Sequence, residues 1–334
     1  MNNKLKLGVS ALCGSLAAVS AANAGDLTVS GGADLTWQSM DDTTTGNPIG
    51  IGSNYGLSGS GELDNGWTVS LGINMTNKNI YSNTDVTITV PALGDFIISN
   101  GVSGSGIDRM DDVTPNVWEE AYGTGLSTGI NTVAGVSGST NIEWTPNMLP
   151  DGLTARIHWT PDSGGSNIND KATGGAGDGD TGWDVTLVAT DAITGMTGLT
   201  VGGGISEVEE TWTNSDGDRE EVTVYATYAV GGFTLGYQWS EEDLGISSNE
   251  QQYDNEGYGI TFAVNDDFSI GYNHYESKQT STTNVTAEAD SMQISYSYGG
   301  ASIRIMDASA DNMDYSTAVT QDRDNTVISL GLAF

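Results

Sequence analysis

The sequence predicts an all-β protein, a transmembrane antiparallel β-barrel of about 16 strands with short periplasmic turns and long external loops. Three observations predict it. Apolar and polar residues alternate with period two along most of the chain. Between the alternating runs, short turn signals and long polar stretches take turns. After the N-terminal segment no window holds a run of about 18 apolar residues and no helical period of 3.6 is sustained, so spanning helices do not account for the hydrophobic content.

Composition narrows the reading. The 334 residues include 46 Gly and 6 Pro, and 44 acidic against 10 basic residues give a formal charge of −34. Such a balance excludes nucleic-acid binding through a basic patch, because phosphate affinity rests on Lys and Arg. It also argues against electrostatic docking onto anionic lipid.

Residues 1–24 read as a cleaved signal peptide. Lys4 and Lys6 form a positive start, Leu7 to Val19 a short apolar core, and Ala22-Asn23-Ala24 a small-residue cleavage site. The core is shorter than the roughly 20 apolar residues of a membrane-spanning helix. Residues 25–334 then form the barrel. Cys13, the sole cysteine, lies in the removed segment, so the mature chain has no disulfide or cysteine metal site.

The strands expected are 26–38, 51–63, 67–78, 83–91, 95–102, 134–145, 153–160, 182–191, 199–212, 221–230, 233–242, 255–264, 268–278, 289–299, 301–309 and 324–334. In the last, Ile328, Leu330, Leu332 and Phe334 share one face, and Val327, Ser329, Gly331 and Ala333 the other. In 233–240, Phe233, Leu235, Tyr237 and Trp239 alternate with Thr234, Gly236, Gln238 and Ser240. The connections Asp64-Asn65-Gly66, Gly231-Gly232, Asn265-Asp266-Asp267 and Gly299-Gly300 are short turns, whereas 161–180 and 310–324 are long and polar. The apolar face carries aromatics near strand ends, as interfacial girdles do. The other face is Ser, Thr, Asn, Gln and Gly, including Gly32, Gly72, Gly236, Gly259 and Gly271, with too few large residues to fill a core; glycine there is expected to keep the lumen open. Sixteen strands enclose a water-filled channel. A secreted two-sheet β-sandwich would also alternate.

These features together resemble the Gram-negative general porins, most closely the alphaproteobacterial type. The residues that carry the resemblance are the first strand Asp26-Leu27-Thr28-Val29-Ser30-Gly31-Gly32 after the leader, the terminal Phe334, the strand count with its alternating loops, and the long segment 103–133 after the fifth strand. No Pro-Glu-Phe-Gly-type loop tip is present, unlike in some enterobacterial members. The resemblance implies a third loop folded into the lumen over 103–133, an assembly signal at Phe334, and a homotrimer in the outer membrane of a Gram-negative bacterium, among outer-membrane lipid and lipopolysaccharide.

The candidate constriction loop holds Asp108, Asp111, Asp112, Glu119 and Glu120 with one base, Arg109. Acidic groups at a constriction favour cations. Strand parity places Arg156, His158, Arg304 and Lys78 on the lumen wall together with Glu143, Asp34 and Asp184, because Arg or Lys facing mid-bilayer lipid would cost about 2–4 kcal/mol. By the resemblance, Arg156 and Arg304 face the acidic loop across the pore.

Asp178-Gly179-Asp180 and Asp216-Gly217-Asp218 have calcium-loop-like spacing, but neither supplies the Glu at position 12 of an EF-hand loop. The expectation is no cofactor and no metal site, with at most loosely held calcium or magnesium bridging these loops to lipopolysaccharide. No catalytic residue is assigned: His158 and His274 have no Ser or Cys nucleophile motif beside them, and no phosphate-cradling loop is present. The function expected is therefore a non-enzymatic channel for passive diffusion of ions and small hydrophilic solutes, preferring cations. The alternative is a non-conducting structural or adhesive barrel with acidic, calcium-binding loops.

Overall fold

The computed structural model describes residues 27–40, 47–77, 80–123, 125–163, 179–210, 217–246, 251–281 and 284–333. Residues 1–26, where the signal peptide is expected, lie outside the described residues, as do Lys78, Asp178, Asp216 and Phe334. Sixteen antiparallel strands close into one barrel. They are β1 Thr28–Met40, β2 Ile49–Glu62, β3 Thr68–Thr76, β4 Ile80–Val90, β5 Gly94–Asn100, β6 Thr140–Pro146, β7 Leu153–Thr160, β8 Gly179–Ala189, β9 Leu199–Glu210, β10 Arg219–Val230, β11 Phe233–Asp243, β12 Gln252–Ala263, β13 Phe268–Thr280, β14 Val285–Tyr298, β15 Ala301–Asp311 and β16 Arg323–Ala333.

Every strand pairs with its neighbours in sequence. The ring closes where β1 meets β16, from Gly32 opposite Ala333 to Met40 opposite Asn325. Closure matters because lipid offers no hydrogen bonds, so a free sheet edge in hydrocarbon would leave a row of unsatisfied backbone groups.

Side-chain burial is inverted relative to a soluble protein. In β16, Ile328, Leu330 and Leu332 are 39%, 38% and 42% exposed, whereas Asn325, Val327 and Ser329 are 2%, 7% and 1% exposed. Polar residues line the inside and apolar residues face out into the bilayer, which rules out a sandwich with an apolar core.

Local chemistry makes the tight turns. Asn265 Oδ1 accepts the amides of Asp267 and Phe268, both at 2.9 Å, between β12 and β13. Asn65 Oδ1 accepts the amide of Trp67 at 3.1 Å between β2 and β3. A one-turn helix α1, Asp191–Thr194, sits in the β8–β9 connection. Among the described residues no helix is long and apolar enough to cross a membrane.

One expected strand is corrected. Residues 134–139 continue the long loop instead of starting a strand, and β6 begins at Thr140, so the loop runs over 101–139 instead of 103–133. Gly135 and Gly138 have φ of 57° and 77°, incompatible with an extended strand. The amides of Ala134 and Gly135 are also taken by a wall carboxylate, Glu221, instead of a neighbouring strand.

Candidate pore constriction

The 101–139 loop turns into the barrel. Its outgoing limb opens with a 3₁₀ turn, Gly106–Met110, seated on β7 to β10. Gly106 has φ of 57°, and a Cβ there would stand 2.3 Å from Asp184 Oδ1 and 2.4 Å from His158 Nδ1, so only glycine fits. A buried loop must find partners for backbone groups that water would otherwise satisfy.

Here the wall supplies them. Glu143 accepts the Gly106 amide at 2.8 Å and Arg109 Nη2 at 2.7 Å. Gln238 accepts the Val113 amide at 3.2 Å and donates to the Met110 carbonyl. Gln293 Oε1 accepts the amides of Val117, Trp118 and Glu119 at 3.3, 3.0 and 3.3 Å, and its Nε2 donates to the Glu119 carbonyl. Asn273 accepts the Ala121 amide and donates to Thr114 Oγ1, both at 2.8 Å. Glu221 Oε2 accepts the amides of Ala134 and Gly135 at 3.1 and 2.6 Å, while Arg219 Nη2 donates to the Gly135 carbonyl at 2.8 Å. Carboxamides suit this task because one side chain both donates and accepts.

An apolar contact completes the seat. Ala121 and Leu126 of the loop bury against Ala289, Met306, Ala308, Ala310, Met313 and Val327, with Trp118, Tyr122 and Ile130 packed around them. This corrects the expectation that the inner face lacks a core. It also corrects the reading of three glycines. A Cβ on Gly236 would lie 2.3 Å from Pro115 Cδ, one on Gly259 would lie 2.2 Å from the Pro115 carbonyl oxygen, and Gly271 lies under Val117. They make room for the loop instead of leaving the lumen open.

The loop gathers four acids along its middle. Asp112 crowds Asp111, and Glu119 and Glu120 lie side by side, close enough to shift each other's titration. Asn116 Nδ2 donates to Glu120 Oε1 at 2.8 Å. Burial, reinforced by the charge of Asp112, pushes the Asp111 carboxyl up to about 9. Burial, again with Asp112 close by, pushes Glu120 up to about 8. Glu119 is also raised, first by burial. Asp108 stands apart near the start of the loop, accepting Ser137 Oγ at 2.7 Å, and burial raises its carboxyl too.

The wall residues divide into two groups. Glu143, His158 and Asp184 face inward as parity requires, yet the loop covers them completely, so they are anchors rather than a hydrated wall. His158 Nδ1 lies 3.2 Å from Asp184 Oδ2, and that same oxygen accepts the Val136 amide at 3.4 Å. Arg156 Nε stands 3.9 Å from Glu143 Oε1, beside Arg109 at the start of the loop, not across the lumen from it. Arg304 pairs with Asp34 and lies over the Trp118 ring, 4.8 Å from its centroid.

Gln238, Asn273, Gln293, Arg219 and Glu221 escaped the sequence reading. Parity puts each on the inner face, but a residue that holds a loop reads the same there as one that only meets water. Among the described residues no group of three or more His, Cys, Asp or Glu side chains is placed to hold a metal ion.

The lumen stays open beside β1 to β4, where Ser30, Ser58, Asn74 and Asp85 border a cavity of about 300 Å³. A second cavity, of about 580 Å³, reaches from Asn54 and Asn77 to Asp34 and Arg304. A channel narrowed by an infolded third loop is thus the geometry on hand, and a family model described as Gram-negative porin matches residues 8–317. The chain belongs to the Gram-negative porin family. It is an outer-membrane porin, and its family and fold are those of channel proteins.

Solved structures agree on the fold. The porin resembles OmpT of Vibrio cholerae in its trimer form, at 12% identity and a TM-score of 0.66, over 93% of this chain and 99% of that one. It resembles the Salmonella typhi OmpF complex with daunomycin at 13% identity and 0.66, over 93% and 98%. It resembles the anion-selective porin from Comamonas acidovorans at 12% identity and 0.66, over 93% and 100%. At such identities the likeness shows the fold alone. No curated protein sequence matches the porin.

Proposed function

We propose that this porin is a passive diffusion channel for ions and small hydrophilic solutes, that it prefers cations, and that it works as a homotrimer. The observation that carries the cation preference is the placement of Asp111, Asp112, Glu119 and Glu120 together on the infolded loop. Among the described residues none of the four has a base within ion-pair distance, whereas Arg109 and Arg156 attend Glu143 and Arg304 attends Asp34. Excess carboxylate at a narrow passage with low-dielectric walls raises the local concentration of cations and repels anions. With Asp111 titrating near 9 and Glu120 near 8, these two carry protons at neutral pH, so the preference there is moderate and grows with alkali. The trimer reading rests on the likeness to the trimer form of Vibrio cholerae OmpT. Outer-leaflet lipid, lipopolysaccharide included, surrounds the apolar belt.

The test is single-channel recording of the refolded porin in a planar bilayer under a potassium chloride gradient. Conductance steps in groups of three with a reversal potential of cation sign are expected. An anion sign would mean that the wall arginines outweigh the loop acids. An inserted, heat-modifiable barrel without conductance would overturn the channel reading in favour of a structural one.

A further inference from the structure

We infer that Arg304 is a positioning residue, a latch that ties the tip of the infolded loop to the seam where the barrel closes, so that barrel closure and the placement of the constriction depend on one side chain. The seam is the β1–β16 pairing, and Arg304 reaches across it from β15. Its Nη2 donates to Asp34 on β1 and, at 2.8 Å, to Ser329 Oγ on β16. Ser329 Oγ in turn donates to the same Asp34 oxygen at 2.6 Å, which closes a triangle over the seam. The reach is possible because Gly331 lies beneath: a Cβ there would stand 2.8 Å from Arg304 Nη2.

The face of the guanidinium is left free, and the Trp118 ring occupies it with Cζ 4.8 Å from the centroid. Only Arg offers a flat cation that can bond edge-on to a carboxylate and stack face-on against an indole. Trp118 borders the apolar cluster that seats the loop, and Gln293 holds its amide. Glu119 and Glu120 follow immediately, so wherever Trp118 sits, half of the acidic quartet sits with it. An ion pair on a water-lined wall contributes little alone. Shared between two strands and a loop ring, the same pair couples parts that are otherwise remote in sequence.

The test compares two readouts in Asp34→Asn, Trp118→Leu and Arg304→Lys. One is the temperature at which the folded band converts to the unfolded band on a gel, which reports the barrel. The other is the frequency of brief current closures in single-channel traces, which reports the loop. Trp118→Leu is expected to raise closures about fivefold, the factor that one stacked cation controls, and to leave the conversion temperature unchanged. Arg304→Lys, which keeps the charge and loses the plane, raises closures to a lesser degree. The deciding variant is Asp34→Asn, which is expected both to lower the conversion temperature and to raise closures. Asp34 also repels Glu119, so its neutralisation without a latch would steady the loop, not loosen it. A lower conversion temperature with closures at the wild-type frequency overturns the inference, as does no change in either readout. Should Asp34→Asn fail to refold, Ser329→Ala breaks the same triangle more gently and is read by the same criteria.

Discussion

The barrel has two unlike walls. From β6 to β14 the inner face is covered by the infolded loop, and its polar residues, Glu143, His158, Asp184, Thr223, Gln238, Asn273 and Gln293 among them, are buried. From β2 to β4 the inner face is bare, and Asn54, Ser58, Asn74 and Asp85 border open lumen. Both walls alternate apolar-out and polar-in, and both use the same residue types. Polarity on the inner face therefore marks two separate jobs. On the bare wall a polar group meets water and is interchangeable. On the covered wall Glu143, Gln238, Asn273 and Gln293 are the partners of particular loop amides or carbonyls, and losing one leaves its loop groups unsatisfied.

The sharpest break between the walls is expected at Gln293. In Gln293→Leu the amides of Val117, Trp118 and Glu119 lose their shared acceptor. An unsatisfied buried donor costs about 1–3 kcal/mol, and because the three share one acceptor and can reach lumen water, the loss expected is about one such cost. Hydrogen exchange at these three amides should accelerate roughly 10- to 100-fold at that cost; unchanged protection would dissolve the distinction between the walls.

Next comes Glu143→Gln. It removes the carboxylate that faces Arg109 and Arg156 while keeping an acceptor for the Gly106 amide. The stability loss expected is about 1–2 kcal/mol, below the 3–5 of a fully buried pair, because Arg109 reaches water. The reversal potential should move toward anions, and an unchanged reversal potential would show that the two arginines do not act on the permeation path.

The pH dependence sharpens the comparison from the loop side. Asp111 and Glu120 have folded values near 9 and 8, above their unfolded values. Groups raised in this way favour the folded state at low pH, and that contribution is lost as pH rises from the ordinary carboxylate range through about 8 and 9. Between pH 6 and 10 the cation preference should therefore grow, with its change centred between pH 8 and 9, while the loop loosens progressively up to about pH 9 and no further above it. A reversal potential that is flat across this range would place these carboxyls away from the passage.

The smallest effect is expected on the bare wall. Asn74 donates to Asn83 Oδ1 at 2.7 Å in an exposed position, so Asn74→Ala should change stability by less than about 0.5 kcal/mol. Thermal conversion on a gel measures this, and a large drop would mean that the bare wall is as constrained as the covered one.

Much of this architecture was legible in the chain. The alternation of Ile328, Leu330 and Leu332 with Ser329 and Gly331, and turns such as Asn265-Asp266-Asp267, define strands and registers, because a period of two assigns each side chain to a face. The acids of the loop were legible as a group, since their clustering in one long segment needs no tertiary contact to be seen. The partners of the loop were not legible. Gln293 and Trp118 are 175 residues apart, and no local pattern distinguishes an amide that holds a loop from one that is hydrated. Residues 134–139 misread as a strand for a related reason: their alternation is real, but the glycine conformations and the carboxylates that take their amides come from elsewhere in the fold.

An acidic all-β barrel with its apolar face turned outward follows from the chain alone, because alternation and charge are local properties that the bilayer then sorts. Which inner-face residues stay wet, which anchor the loop, and where the loop meets Arg304 and the seam are settled by the closed fold. Those outcomes depend on contacts between segments more than a hundred residues apart, such as Arg304 with Asp34 and with Trp118. Closing the ring brings such segments together, and nothing in their local sequence records it.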